Sequence, residues 1–88
     1  MVGKFATSKA GHDKSQLYVI VAEEEEFVYL CDGRLKPIEK PKKKRKKHIQ
    51  IINTTVKEPL YSNLRGQETV RNEEVKYAIK QYMKQDNL

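Results

Sequence analysis

The chain has 88 residues, 38% of them apolar, with a formal net charge of +6. That length and composition allow one small domain with one modest core. A single cysteine, Cys31, excludes an internal disulfide and a cysteine-based metal centre and fits a reducing compartment. No apolar run approaches the roughly 18 residues that a bilayer span requires. The opening residues, MVGKFATSKAG, lack the apolar stretch of a secretory leader. A cytoplasmic protein with no membrane partner is expected.

In chain order, residues 2–8 (VGKFATS) can form a first strand, and residues 9–16, rich in Gly, Asp, Ser and Lys, form a loop. The run LYVIVA at 17–22 and the run FVYLC at 27–31 are dense in β-branched and aromatic residues and read as neighbouring strands. Between them, EEEE at 23–26 suits a solvent-facing turn, because four like charges repel. Asp32-Gly33 is a strong hairpin signal, since such turns need positive φ. Residues 34–38 are the expected return strand, with Pro37 confining it to an edge or to a strand end. A fifth short strand is expected at 48–52 (HIQII). Five short strands joined by tight turns predict a mainly β protein with a small, strongly bent β-barrel over residues 1–52.

Residues 53–71 read as a connector with no clean period, packing a few of Val56, Leu60, Tyr61 and Leu64 on the barrel. Over 72–86, Val75, Ala78, Ile79, Tyr82 and Met83 recur at helical spacing and predict an amphipathic C-terminal helix. Asn72 is a candidate cap, and Glu73 and Glu74 suit the positive end of the helix dipole. Lys76, Lys80 and Lys84 stack four apart on one ridge, which reads as an ordinary solvated face or as a second basic stripe.

Lys40 through Lys47 holds seven cations and no acid, and the rest of the chain has 11 cations against 12 acids. The basic excess therefore sits in one segment, placed between two expected strands. Neither face of such a run can be core, so a protruding basic connection over 40–47 is expected. A polyanion is its natural partner, with nucleic acid ahead of an anionic membrane surface; the run taken alone reads equally as a solvated, flexible loop.

No catalytic apparatus is apparent. The two histidines and one cysteine form no local relay, and a small buried Cys is the ordinary role for Cys31. The acidic run lacks the glycine and ligand spacing of a calcium loop, and no Gly-rich phosphate cradle is present. No cofactor is expected. Asn53-Thr54-Thr55 fits a glycosylation sequon, but nothing in the sequence routes the chain to a secretory pathway.

Residues 1–49 resemble the KOW family, and more closely the small bacterial KOW-domain RNA-binding proteins related to the L14e, L6e and L27e ribosomal proteins. Val2 and Gly3 match the opening of the motif. SKAGHDKSQ matches its loop, with Gly11 at the hallmark glycine, and LYVIV matches the closing strand. DGRLKPIEKPKKKRKKHI matches the basic continuation. Two positions depart: His12 follows the hallmark glycine where Arg is common, and Ser15 stands where a second glycine is common. The resemblance implies an SH3-like barrel that binds RNA on the ribosome or with translation machinery. It does not extend past Ile52.

The expected RNA-binding residues fall in two groups. In the loop, Gly11 permits a sharp turn and close backbone approach, while Lys9, His12 and Lys14 stand around it to meet phosphates. Asp13 is expected to cap that loop through its own backbone. In the basic run, Lys40, Lys42, Lys43, Lys44, Arg45, Lys46, Lys47 and His48 are the candidates. Strand alternation would put Lys42, Lys44 and Lys46 on one face and Lys43, Arg45 and Lys47 on the other. Arg45 alone offers a guanidinium fork. Tyr18, Tyr29 and His48 are candidates for base stacking if exposed, with Tyr29 expected in the core. Two alternatives stay open: PKKKRKK as a nuclear import signal on a nucleic-acid-binding protein, and an SH3-like adaptor for peptides, which the absence of Trp weakens.

Overall fold

A computed structural model describes residues 1–9 and 16–86, Asp86 by its backbone only. Five strands make one antiparallel sheet: β1 (Lys4–Ser8), β2 (Leu17–Glu23), β3 (Phe27–Cys31), β4 (Lys42–Arg45) and β5 (Ile49–Thr55). Their order is β4-β3-β2-β1-β5, so four strands form a meander and the fifth returns to pair with the first. A 3-10 turn, Lys46–His48, joins β4 to β5, and two helices follow, α1 (Leu60–Arg65) and α2 (Asn72–Asp86).

The sheet is buried on both faces, which explains the unbroken apolar run of β2. Tyr18 and Ile20 project to one side with Ala6, Val28, Leu30 and Ile49. Leu17 and Val19 project to the other with Phe5 and Cys31, where Val56, Leu60, Leu64, Val70 and Val75 cover them. The first cluster is enclosed because the sheet curls. Lys44 Nζ on β4 lies 3.4 Å from Ser8 Oγ on β1, although a flat sheet would hold those strands about 14 Å apart at ordinary strand spacing. Irregular register within β2, between Ile20 and Ala22, accompanies this bend.

The expected closed barrel is not formed. Among the described residues no ladder joins β4 to β5, so the sheet is open at both edges. The 3-10 turn bridges the gap instead, with Lys46 N–H donating to Glu26 O at 2.9 Å and Lys9 N–H to His48 O at 3.0 Å. The first strand starts at Lys4 rather than at residue 2, because Val2 and Gly3 form a turn. Gly3 has φ +91, and a Cβ there would lie 2.6 Å from Tyr61 Cδ1. The fifth strand starts at Ile49, after the 3-10 turn, and continues to Thr55, past its expected end at 52.

The expected return strand at 34–38 is also absent. Gly33 does take positive φ, at +78, but Asp32 closes the chain into a local turn. Its Oδ1 accepts from the N–H groups of Arg34 at 2.8 Å and Lys36 at 2.9 Å. A side chain that bonds its own backbone competes with strand pairing, and the place beside β3 is taken by the basic run instead. The segment after the turn is held by α2: Asn72 Oδ1 accepts from Ile38 N–H at 2.7 Å, and Asn72 Nδ2 donates to Glu39 at 3.0 Å. Asn72 thus pins a neighbouring loop rather than capping its own helix. At that helix start, the Glu74 carboxylate accepts from Arg71 N–H at 2.9 Å, one half of a capping box.

Within the expected connector, α1 forms because Leu60 and Leu64, four apart, both reach the core. The Glu58 carboxylate accepts from Ser62 N–H and Oγ at its first turn. The apolar face of α2 packs as its spacing requires. Val75 is fully buried, worth about 1.5–3 kcal/mol, and the Phe5 and Tyr82 rings stack 4.7 Å apart. Met83, the last of the five expected apolar positions, is 51% exposed over a groove beside Leu17 and Arg34.

Candidate nucleic-acid interface

The basic run does not protrude as a loop: Lys42 to Arg45 are hydrogen-bonded to β3 as an edge strand. Lysine is a common occupant of exposed edges, where its charge discourages pairing with another chain. The register sets Phe27 opposite Arg45, Val28 opposite Lys44, Tyr29 opposite Lys43 and Leu30 opposite Lys42. Opposed residues share a face, so the expected alternation of 42 and 44 against 43 and 45 holds. One side, however, is bounded by core. Lys42 and Lys44 are half-buried beside Leu30 and Val28, with their apolar stems along the edge of the enclosed cluster.

Lys43 and Arg45 stand exposed on the other side, over aromatic rings. Lys43 Nζ is 4.3 Å from the Phe27 ring centre and 5.9 Å from that of Tyr29, and Arg45 Cζ is 5.0 Å from that of Phe27. Such contacts are worth about 0.5–1 kcal/mol each at exposed sites and restrict two otherwise mobile cations. Tyr29 is therefore half-buried under a cation rather than in the core, and Tyr18 is the buried tyrosine, 3% exposed.

The counter-charges come from the end of β2 and the turn that follows it. Lys46 Nζ donates to Glu23 Oε2 at 2.8 Å, Lys43 lies 3.8 Å from Glu24, and Arg45 lies 3.9 Å from Glu26. The N-terminal amine also reaches Glu23, at 3.1 Å. The hydrogen bond from Lys46, then that from the amine, holds the Glu23 carboxyl below the usual carboxylate range. These acids were not among the expected site residues. Their signal was two blocks of opposite sign flanking one strand: β4 ends opposite the start of β3, so Arg45 and Lys46 must arrive at the acidic turn.

The remaining expected residues divide. Lys9 and His48 are brought together by the bond between Lys9 N–H and His48 O, and both are exposed, as is Lys47. Lys40 lies apart from β4, in a turn where its N–H donates to Pro37 O at 3.0 Å. Gly11, His12, Asp13 and Lys14 lie outside the described residues. The exposed face of the site is thus Lys43, Arg45, Lys47 and His48, with Lys9 beside the last.

A cavity of about 910 Å³ adjoins the site, between the acidic turn and the segment joining α1 to α2, and shares Lys46, Glu23 and Glu24 with it. Val2, Val21, Leu64 and Val70 line it, and Glu23, Glu24, Glu25 and Glu68 border it together with Lys46 and Arg65, so its rim carries more acids than cations. Among the described residues no group of three or more His, Cys, Asp or Glu could hold a metal ion. No helix there is long and apolar enough to cross a membrane. No protein-family model matches the chain, and no curated protein is significantly similar to it.

Proposed function

We propose that the protein is a non-catalytic RNA-binding module of the SH3-like KOW type, associated with ribosomes or translation, which grips the RNA phosphate backbone through β4 and the 3-10 turn. The observation that carries this reading is the pair Lys43 and Arg45, held side by side over Phe27 at an exposed sheet edge. Cations restrained in this way lose less freedom on meeting a phosphate than free side chains do. Lys47, His48 and Lys9 continue the charge along the chain and into the loop that resembles the KOW motif. The meander with a returning fifth strand supports the SH3-like part of the reading. An import signal would need a free run, and residues 42–45 are paired to β3.

The test is co-sedimentation with ribosomes, and binding to purified ribosomal RNA, across a salt series. Binding at low salt and release as salt rises is expected, because each neutralised phosphate steepens the salt dependence. Replacing the outward residues Lys43, Arg45 and Lys47 by Gln leaves the core-edge lysines in place and should weaken binding. Unchanged affinity in that variant overturns the proposal.

A further inference from the structure

A second cationic surface lies on α2. Lys76, Lys80 and Lys84 form one ridge, rising about 6 Å per four-residue step, and Arg34 faces them from the turn after β3 across a groove of about 530 Å³. Among the described residues none of these four cations has an ion-pair partner. This contrasts with Lys43, Arg45 and Lys46, each set against a glutamate. The groove floor is apolar, made by Leu17, Ile79 and the half-exposed Met83. Asp32 also lines the groove, but its carboxylate is committed to Arg34 N–H, Lys36 N–H and Gln16 Nε2. Glu73 lies one turn before Lys76, at the helix N-terminal end.

On the far flank of the ridge stands Tyr77, 62% exposed. Its hydroxyl accepts a hydrogen bond from Gln81 Nε2 at 2.9 Å, which holds the ring along the helix. A large exposed aromatic beside a row of unpaired lysines is the combination that binds unpaired nucleic acid, one component for bases and the other for phosphates. The ridge also lies on the same side of the sheet as Lys43 and Arg45. Cys31 packs with Val75 of α2, Tyr29 shares the face of Cys31 by alternation along β3, and Tyr29 opposes Lys43.

We propose that this surface is a second RNA contact, in which Arg34, Lys76, Lys80 and Lys84 hold successive phosphates of an unpaired strand and Tyr77 stacks one of its bases. The proposal rests on the RNA-binding reading above and extends it: the strand edge and the helix ridge engage one RNA from the same side. The lysine step along the helix is comparable to the phosphate step of an extended strand. The apolar floor accepts a ribose or a base edge.

The experiment measures anisotropy of a fluorescein-labelled oligouridine at several salt concentrations, with the full chain. A ridge variant (Arg34→Gln, Lys76→Gln, Lys80→Gln, Lys84→Gln) is compared with an edge variant (Lys43→Gln, Arg45→Gln), after both are shown to melt like the wild type. The ridge variant should lose on the order of tenfold or more in affinity at low salt. Its slope of log K against log salt should become shallower by about 0.7 for each cation that touched a phosphate. Tyr77→Ala should weaken binding with the slope unchanged, and Tyr77→Phe should restore it. Wild-type affinity and slope in the ridge variant, with weakened binding in the edge variant, overturns this proposal and leaves the first standing. A ridge variant that keeps oligouridine but loses a polyglutamate peptide overturns it in favour of an acidic protein segment. A wild-type protein that binds no RNA at low salt overturns both.

Discussion

Lys46 Nζ lies 2.8 Å from Glu23 Oε2, and this bond ties the 3-10 turn after the basic strand to the end of β2, where the acidic run begins. The two charge runs are therefore parts of one arrangement, brought together by the β3–β4 register. The arrangement has a consequence for binding. If the edge binds RNA as proposed, a phosphate approaching Lys43, Arg45 or Lys46 would compete with a carboxylate already present, and the glutamates would tune how strongly the edge holds it. On that proposal, a lone anion would compete poorly and an RNA that meets several cations at once would compete well.

Glu24 and Glu26 are the exposed members of that set, at 3.8 Å from Lys43 and 3.9 Å from Arg45. Exposed pairs of this kind contribute about 0–1 kcal/mol to stability. Changing Glu24→Gln and Glu26→Gln together should leave the melting temperature nearly unchanged. RNA affinity should rise several-fold and elution from a heparin column should shift to higher salt. A variant that binds no more tightly than wild type would show that these acids do not restrain the edge.

Glu23 behaves differently, because its folded-state pKa is depressed by the Lys46 hydrogen bond and by the N-terminal amine. A depressed carboxylate gives stability that is present above its ordinary value of 4.5 and is lost as pH falls through the lower folded value. Urea unfolding followed from neutral pH downward should therefore show wild type losing more stability in the acid range than Glu23→Gln. Parallel pH curves for the two proteins would contradict this assignment.

Strands β2 and β3 were legible because their runs are apolar on both faces, and α2 was legible because its period is clean. The fourth strand was not. A run of Lys and Arg has no hydrophobic alternation, so nothing local marks Lys42–Arg45 as a strand, and only the free edge of β3 fixes it. The turn at 32–36 was misassigned for a related reason. Asp32-Gly33 correctly announced a reversal, but the Asp32 carboxylate spends its acceptors on Arg34 and Lys36 and leaves no return strand. For the candidate site, the residue types at 43 and 45 were legible, and their placement over Phe27 was a tertiary fact.

Gly33 joins that turn to α2. Its φ is +78, and a Cβ there would lie 2.6 Å from Asn72 O and 2.8 Å from Lys76 Cγ. Gly33→Ala therefore meets both an unfavourable backbone conformation and a clash with backbone at the helix start. A loss of about 1–3 kcal/mol is expected, read as a lower urea midpoint with the same m-value. Because Lys76 borders the contact, the ridge should shift as well, and RNA affinity should fall along with stability. A midpoint equal to wild type would mean that the helix start is free to move away.

Cys31 is fully buried between β3 and α2, and this burial pushes its thiol from 9.0 up to about 11. A thiol that resists ionisation in the folded state but not in the unfolded one favours folding fully below the unfolded value. That contribution is lost as pH rises through the folded one. Stability should therefore decline between about pH 9 and pH 11. Cys31→Ala removes that slope, at the cost of a small cavity beside Val75. Thiol labelling tests the same burial directly. Only the thiolate reacts, so at neutral pH the native protein should be labelled at the rate of global unfolding, and urea should accelerate labelling in step with the loss of structure. Rapid labelling without denaturant would show that α2 opens locally from the sheet.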